Sequence, residues 1–410
     1  MKHAFFSVIS LDEALALLSG FSLLETEKCP VSQALHRILA EEAIAREAVP
    51  DFNRSTRDGF AVRARDTFGA SENASPLFSI VGRVPMGKVP DFTLGPGQTA
   101  TIATGAMLPQ GADSVVMVED TTPIDAGLVE IHRSVAPGSH VIQKGDDARQ
   151  GQVLLSPGRR LKPQDLGFLS GAGVTAVQVR RQPRIAILST GDEIRPPESP
   201  LQPGEIRDIN TRTLAAMVAE QGGIPLEKDI VPDKEEALHH ALTQALLESD
   251  LILVSGGSSV GTRDYAPRVI AKLPEAAILA HGLAIRPGKP TLIARVGEKA
   301  LIGLPGHAAS AALIFHVLVR PLIRHITGET APRSEERPFM ARLSRNLSSV
   351  QGRADYIRVR ILDEKEGPVA EPLLGEAGLI RTLVEAQGLI CIPRDTEGLL
   401  KDSPVTVHPL

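Results

Sequence analysis

Asp250–Leu273 reads DLILVSGGSSVGTRDYAPRVIAKL. An apolar run ends in Ser255, a Gly- and Ser-rich loop follows, and Asp264 opens a stretch of helical spacing. This is how a strand hands over to a helix through a polar loop. The same pattern extends on both sides. RIAILS (184–189) reads as a strand, NTRTLAAMVAEQGG (210–223) as a helix ending in Gly, and KEEALHHALTQALLES (234–249) as a second helix. Downstream come the strands TLIARV (291–296) and KALIGLPG (299–306), then the closing helix HAASAALIFHVLVRPLIRHITG (307–328). Strands alternating with helices predict a parallel, doubly wound sheet over 183–328.

The flanks have other textures. Residues 11–45 carry helical periodicity in LDEALALL and VSQALHRILAEEAIA, with Ser10 and Glu13 spaced as a capping box. From Pro50 to Lys144, short β-type runs such as FSIVGRV, TATIATGA, SVVMVED and LVEIHRSV are cut by Gly and Pro. Residues 161–180 return to a helical start and the strand AVQVRR, and 338–410 alternate as an all-β unit. The expected fold is an α/β and β multidomain chain. A helical linking domain comes in two pieces, 1–45 and 143–182, around an inserted β domain at 46–142. The α/β domain spans 183–328 and a C-terminal β domain 338–410.

Composition sets limits on partners. The 410 residues are 42% hydrophobic, enough for sizeable cores. A net charge of −5, no Trp and two Tyr argue against nucleic acid as a partner. Cys29 and Cys391 lack metal or redox spacing and read as idle thiols in a reducing compartment. The N-terminus shows no long apolar signal region, and no run is read as approaching the roughly 18 apolar residues of a membrane span. A soluble, cytoplasmic protein without a membrane partner is expected.

In an open α/β sheet, ligands sit outside the carboxyl ends of the strands. Three loops leave such ends here: STGDE (189–193), SGGSSVGTRD (255–264) and GLPGHAAS (303–310). Each alone is also an ordinary tight turn. Together, their consecutive N–H groups and helix N-termini suit an anion, and phosphate is the expected one. Neither G-x-x-x-x-G-K-[ST] nor G-x-G-x-x-G occurs. Glu193, Asp233 and Asp264 accompany these loops. An Asp at a helix start is often only a cap, yet three carboxylates beside phosphate call for a hard cation, and Mg²⁺ fits. AIRPGKP (284–290) holds Arg286 and Lys289 on a stiff Pro-Gly frame, a place for a further anion. His307 opens a helix and reads as a local hydrogen-bonding residue rather than a general base.

Nine segments taken in order carry a resemblance. They are FNRSTRDGFAV, TIATGAMLPQGADSVVMVED, IQKGDDARQG, LSTGDEI, GEIRDINTRTL, SGGSSVGTRD, IRPGKP, GLPGHAAS and GRADYIRV. Over essentially its full length the chain resembles the molybdopterin molybdenumtransferase family, MoeA and the gephyrin E domain. The resemblance implies four domains in an elongated homodimer, with a C-terminal β-barrel. It implies binding of adenylylated molybdopterin and cleavage of its phosphoanhydride with molybdate and Mg²⁺, molybdenum staying on the dithiolene as AMP leaves. The cleft would combine the β domain of one subunit with the α/β and barrel domains of the other. By motif, Asp58, Thr104, Asp147, Glu193, Asp264 and Lys289 would be catalytic. Glu193, Asp233 and Asp264 would hold the metal. Ser255, Gly256, Gly257, Ser259, Gly261, Arg286, Pro305, Gly306, His307 and Ser310 would bind the pterin nucleotide. Lys289, Arg353 and Thr382 would bind molybdate.

The chain departs from that family at Arg286, where Lys is usual, and at His307-Ala308, where Asn-Pro is usual. Asn53–Ala61 differs from the usual DNSAMDGYA, GEAG replaces a Gly-Ser-Gly, and Thr382 replaces Ser. Tungstate matches molybdate in size and charge, so either ion suits. Two other readings stand beside this one: a molybdopterin adenylyltransferase and a non-catalytic dimeric carrier or scaffold. The extra β domain and barrel favour the transferase over the first, and the retained Asp58, Glu193, Asp264 and Lys289 over the second. The adenylyltransferase of the same pathway is a further expected partner.

Overall fold

A computed structural model describes residues 8–256, 265–330 and 337–410. The α/β domain is built on a six-stranded sheet. Its order is Ile224–Glu227, Arg184–Ser189, Leu251–Ser255, Lys299–Leu304, Leu292–Val296, Ala276–His281. Alternation along the strands divides the apolar side chains between two cores. Ile185, Ile187, Leu251 and Leu253 face the helices Asn210–Glu220 and Ala308–Ile314. Ala186, Leu188, Ile252 and Val254 face the helices Glu235–Glu248 and Ala266–Ile270. The sheet is therefore doubly wound, as its pattern suggests.

It is not wholly parallel. Leu292–Val296 runs antiparallel to both neighbours. Only Gly297 and Glu298 separate it from Lys299–Leu304, which allows a hairpin but no crossover. The closing helix runs from Ala308 to Thr327 with a π-helical stretch at Phe315–Val319, and Gly328 ends it in a left-handed turn at φ 69°. Pro321 lies just beyond the π stretch and removes one backbone donor, a recognised cause of such a bulge. Contrary to the expectation that no run reaches membrane length, this helix does so in length and hydropathy. It is a core helix all the same: 67% of its apolar window is buried, with Ile314, Leu318, Leu322 and Ile326 packed into the sheet's core.

The first helix, Leu11–Leu17, has the expected capping box, with Ser10 and Glu13 bonded reciprocally. Although 1–45 reads as linking domain, Ala14, Leu18 and Phe21 pack into the α/β core. VSQALHRILAEEAIA does not form the expected helix. It yields a 3-10 turn, Val31–Gln33, and the short strand Ala43–Ile44. His36 turns left-handed at φ 64°, and the N–H groups of Leu39 and Ala40 donate to the Arg159 and Gln178 carbonyls. Long-range pairing has overridden helix propensity. Thr26–Pro30 pairs with Ala176–Arg180, and Ala43–Ile44 with Val153–Leu155. The chain between them forms a separate six-stranded sheet containing Gly59–Val62, Leu77–Val84 and Gln98–Ile102.

The C-terminal region closes into a five-stranded barrel, Ala354–Glu364, Gly367–Pro372, Phe339–Leu343, Pro404–Pro409 and Gly388–Ile392, the last returning to the first. Ile285–Arg286 of the α/β domain adds to this barrel, pairing parallel with Ala354 and Asp355. That pairing places the IRPGKP turn against GRADY.

Candidate active site

The carboxyl ends of three adjacent parallel strands meet as expected. The Thr190 N–H donates to the Ser255 carbonyl at 2.9 Å, and the Gly256 N–H to the Leu304 carbonyl at 3.3 Å. Gly256 has φ +96°, and a Cβ there would lie 2.4 Å from the Thr190 carbonyl oxygen, so the close approach requires glycine. Gly257, Ser259, Gly261 and Asp264 lie outside the described residues.

A buried polar network braces these ends. The Asn210 amide donates to Ser255 Oγ at 2.6 Å and to the Gly306 carbonyl at 2.7 Å, tying two loops together. Asp208 accepts from the Thr211 amide and hydroxyl at 3.0 and 2.6 Å, and from the Ser189 hydroxyl at 3.0 Å. Asp208 and Asn210 were not singled out in the sequence. The signal for Asp208 was present in RDINTRTL, where an Asp three residues before Thr at a helix start reads as a cap. The Ser255 hydroxyl is thus engaged in bracing, and Ser310 is buried in the first turn of its helix. Thr190 Oγ1 is buried at the same place and, among the described residues, has no hydrogen-bond partner.

The acidic loop is assembled by the backbone. Thr190 bridges to Val231, and the Asp233 N–H donates to Asp192 Oδ1 at 3.1 Å. Asp192 rather than Glu193 makes this link, while Glu193 stands exposed. Among the described residues no group of three metal-ligating side chains is gathered.

The basic frame is more ordered than the sequence indicates. Arg353 Nε donates to Asp355 Oδ1 at 3.0 Å, and an Arg286 terminal nitrogen lies 3.7 Å from Asp355 Oδ2. The Asp355 side chain is only 2% exposed, whereas those of Arg286 and Arg353 are 62% and 36% exposed. One buried carboxylate therefore holds two surface guanidinium groups on the same edge. The Leu283 N–H donates to the Lys289 carbonyl at 2.9 Å, closing the turn that carries exposed Lys289. A Cβ on Gly288 would lie 2.6 Å from Ile314 Cδ1, so the turn packs directly on the closing helix. Asp355 was missed as a functional residue although it lies inside GRADY.

The GEAG segment covers the start of that helix. The Ala309 N–H donates to the Ala377 carbonyl at 3.2 Å, and Gly378 sits against the His307 ring. His307 caps the helix with its carbonyl, which accepts from Ser310 and Ala311. Pro305 is buried and Gly306 exposed in the same loop. The Thr382 hydroxyl donates to the Leu379 carbonyl at 2.9 Å beside Gly375.

A second group lies on the inserted β domain. Asp58 Oδ1 accepts from the Thr104 N–H at 2.7 Å. Asp58 borders a cavity of about 770 Å³ with Arg83, Met86 and Thr101. Asp147 is exposed, its N–H bonded to the Val49 carbonyl at 2.9 Å. Among the described residues, no side-chain hydrogen bond or ion pair joins Asp58, Thr104 or Asp147 to the α/β group.

Comparison with known proteins covers the same regions. Residues 9–173 match the MoeA N-terminal region (domain I and II), 186–325 a probable molybdopterin binding domain, and 340–410 the MoeA C-terminal region (domain IV). The molybdopterin molybdenumtransferase of Bacillus subtilis is 32% identical over 395 residues, 95% of this chain and 91% of that one. That of Haemophilus influenzae is 31% identical, covering 94% of both. The crystal structure of a molybdopterin biosynthesis MoeA protein from Pyrococcus horikosii superposes with a TM-score of 0.83 at 36% identity, covering 98% of this chain and 99% of that one.

Proposed function

The chain belongs to the molybdopterin molybdenumtransferase family, a transferase of molybdenum cofactor biosynthesis, and from that premise we propose that it joins molybdate or tungstate to adenylylated molybdopterin and releases AMP. The observation that carries this reading is the pair of guanidinium groups held on one buried Asp355. A tetrahedral dianion suits two adjacent guanidinium groups and the nearby Lys289. The Gly256 and Gly306 loops, braced by Asn210, would take the phosphate groups of the pterin nucleotide.

The acidic loop fits the proposed Mg²⁺. The ion is usually taken by one or two carboxylates together with substrate phosphates. Glu193 and Asp233 would supply them with Asp264, and bound Mg²⁺ would neutralise phosphate charge as the anhydride opens. Arg286, Arg353 and Lys289 would orient the incoming oxyanion, and Thr382 would border it.

Among the described residues no side-chain bond joins Asp58, Thr104 or Asp147 to this group within one chain, which favours a homodimer whose clefts take one face from each copy. The adenylyltransferase of the pathway would supply the substrate, and free Cys29 and Cys391 suit a reducing, cytoplasmic setting. Mixing tests the shared cleft. Asp58→Ala and Lys289→Ala subunits, each inactive alone, should regain AMP release when exchanged into mixed dimers. No recovery in verified mixed dimers would refute the shared cleft, and full activity of either variant alone would remove that residue from catalysis.

A further inference from the structure

Two exposed apolar surfaces flank the two halves of the candidate site. The first is a turn of the inserted β domain, VPMGKVPD (84–91), which leaves the strand Leu77–Val84. Pro85 and Pro90 fix the backbone on either side, and Gly87 turns left-handed at φ 73°. Met86 is 60% exposed and Val89 75%. Side chains presented by so stiff a turn lose little freedom on docking. A Cβ on Gly105 would lie 3.4 Å from Met86 Cε, so the turn stands beside Thr104 and Gly105, and Met86 and Arg83 border the Asp58 cavity.

The second is the strap 373–387, between the barrel strands Gly367–Pro372 and Gly388–Ile392. The Ala309 N–H and the His307 ring hold it beside the Gly306 loop, and it carries Thr382. Yet it exposes Leu374, Leu379, Ile380 and Val384, the last by 78%. Ile380 and Val384 are four residues apart across the helical turn Arg381–Val384 and share a face. Apolar side chains grouped in this way mark an interaction surface.

The charges are complementary. Over 83–91 the turn carries Arg83, Lys88 and one acid, Asp91. Over 373–387 the strap carries Glu376, Arg381 and Glu385, the last two paired with each other. Lys88 and Glu376 are exposed and, among the described residues, without an ion-pair partner. On the shared cleft proposed above, we infer that the 84–91 turn of one copy docks on the 373–387 strap of the other. Met86 and Val89 cover the strap's apolar face, and Lys88 faces Glu376. The contact closes the cleft, bringing Asp58 and Thr104 of one copy to the Gly306 loop and Thr382 of the second. A second copy accounts for both surfaces at once, since each borders one half of the same site.

The test begins with sedimentation of the full chain; a monomer overturns the shared cleft and this contact together. In the dimer, Val89→Cys and Val384→Cys placed in one chain should give disulfide-linked dimers on mild oxidation that neither single variant gives, a readout independent of activity. Lys88→Glu and Glu376→Lys should each raise the KM for adenylylated molybdopterin about threefold, and the two together should restore it. No linked product in a verified dimer, with Asp58→Ala and Lys289→Ala subunits still complementing each other, would overturn the contact and leave the shared cleft standing. Charge variants that fail to rescue one another would overturn the pairing of Lys88 with Glu376.

Discussion

Replacing Asp355 by Asn removes one negative charge while keeping the side-chain volume, an acceptor and the pairing of Ile285–Arg286 with Ala354–Asp355. The carboxylate receives a hydrogen bond from Arg353 at 3.0 Å and stands 3.7 Å from Arg286. A hydrogen bond between charged groups contributes about 1.5–3 kcal/mol net. Partial exposure of Arg353 puts this one at the lower end, and the mostly exposed Arg286 pair adds less than about 1 kcal/mol. The expected loss is about 2 kcal/mol, read from urea unfolding by far-ultraviolet circular dichroism, since the chain has no Trp. The functional effect is separate. With the Arg353 Nε held only by a neutral acceptor, its terminal nitrogens lose part of their fixed aim. The oxyanion concentration giving half-maximal AMP release should rise about tenfold, equivalent to about 1.4 kcal/mol. An unchanged or lower concentration would refute the reasoning, the latter because Asp355 would then be competing with the anion.

Other consequences follow from the bracing around the strand ends. Asn210→Ala should destabilise the protein by about 2 kcal/mol, because the buried Ser255 hydroxyl and the Gly306 carbonyl lose their donor; a urea midpoint within error of wild type would contradict this. Gly256→Ala should cost about 2 kcal/mol, from a left-handed backbone and a collision with the Thr190 carbonyl, and the same unfolding measurement checks it. Asp250 tests the pH dependence. Burial acts to raise its pKa, but hydrogen bonds from Arg181 and the Arg184 amide prevail and hold it below the ordinary 3.8. The unfolded chain therefore binds the proton first as pH falls, and the stabilisation is lost below that ordinary value. Wild type should exceed Asp250→Asn in stability at pH 7, and the gap should close in acid; a gap constant down to pH 3 would argue against the pairing with Arg181 as its source.

The doubly wound domain was legible because Arg184–Ser189 and Leu251–Ser255 are continuous apolar runs between amphipathic helices, a pattern with few other solutions. Its antiparallel member was equally legible in principle, since two residues cannot make a parallel crossover. The local structure of VSQALHRILAEEAIA was not. Leu39 and Ala40 find their partners in Arg159 and Gln178, more than a hundred residues away, and no local periodicity reports such pairing. The candidate site divides the same way. The converging loops follow from strand ends, a local signal. The Asp355 fork depends on a two-residue strand, Ile285–Arg286, joining another domain's barrel. Of the braces, Asp208 shows as a cap in sequence and Asn210 does not, and only the fold turns them toward Ser189 and Ser255.

The most direct test of the central claim is the initial rate of AMP release from adenylylated molybdopterin by the purified protein with Mg²⁺, as molybdate and tungstate are titrated separately. The account predicts a saturable stimulation by at least one of the two oxyanions, lost or shifted to higher concentration in Arg353→Ala. AMP release indifferent to both ions, or absent while the pterin nucleotide binds tightly, would contradict it.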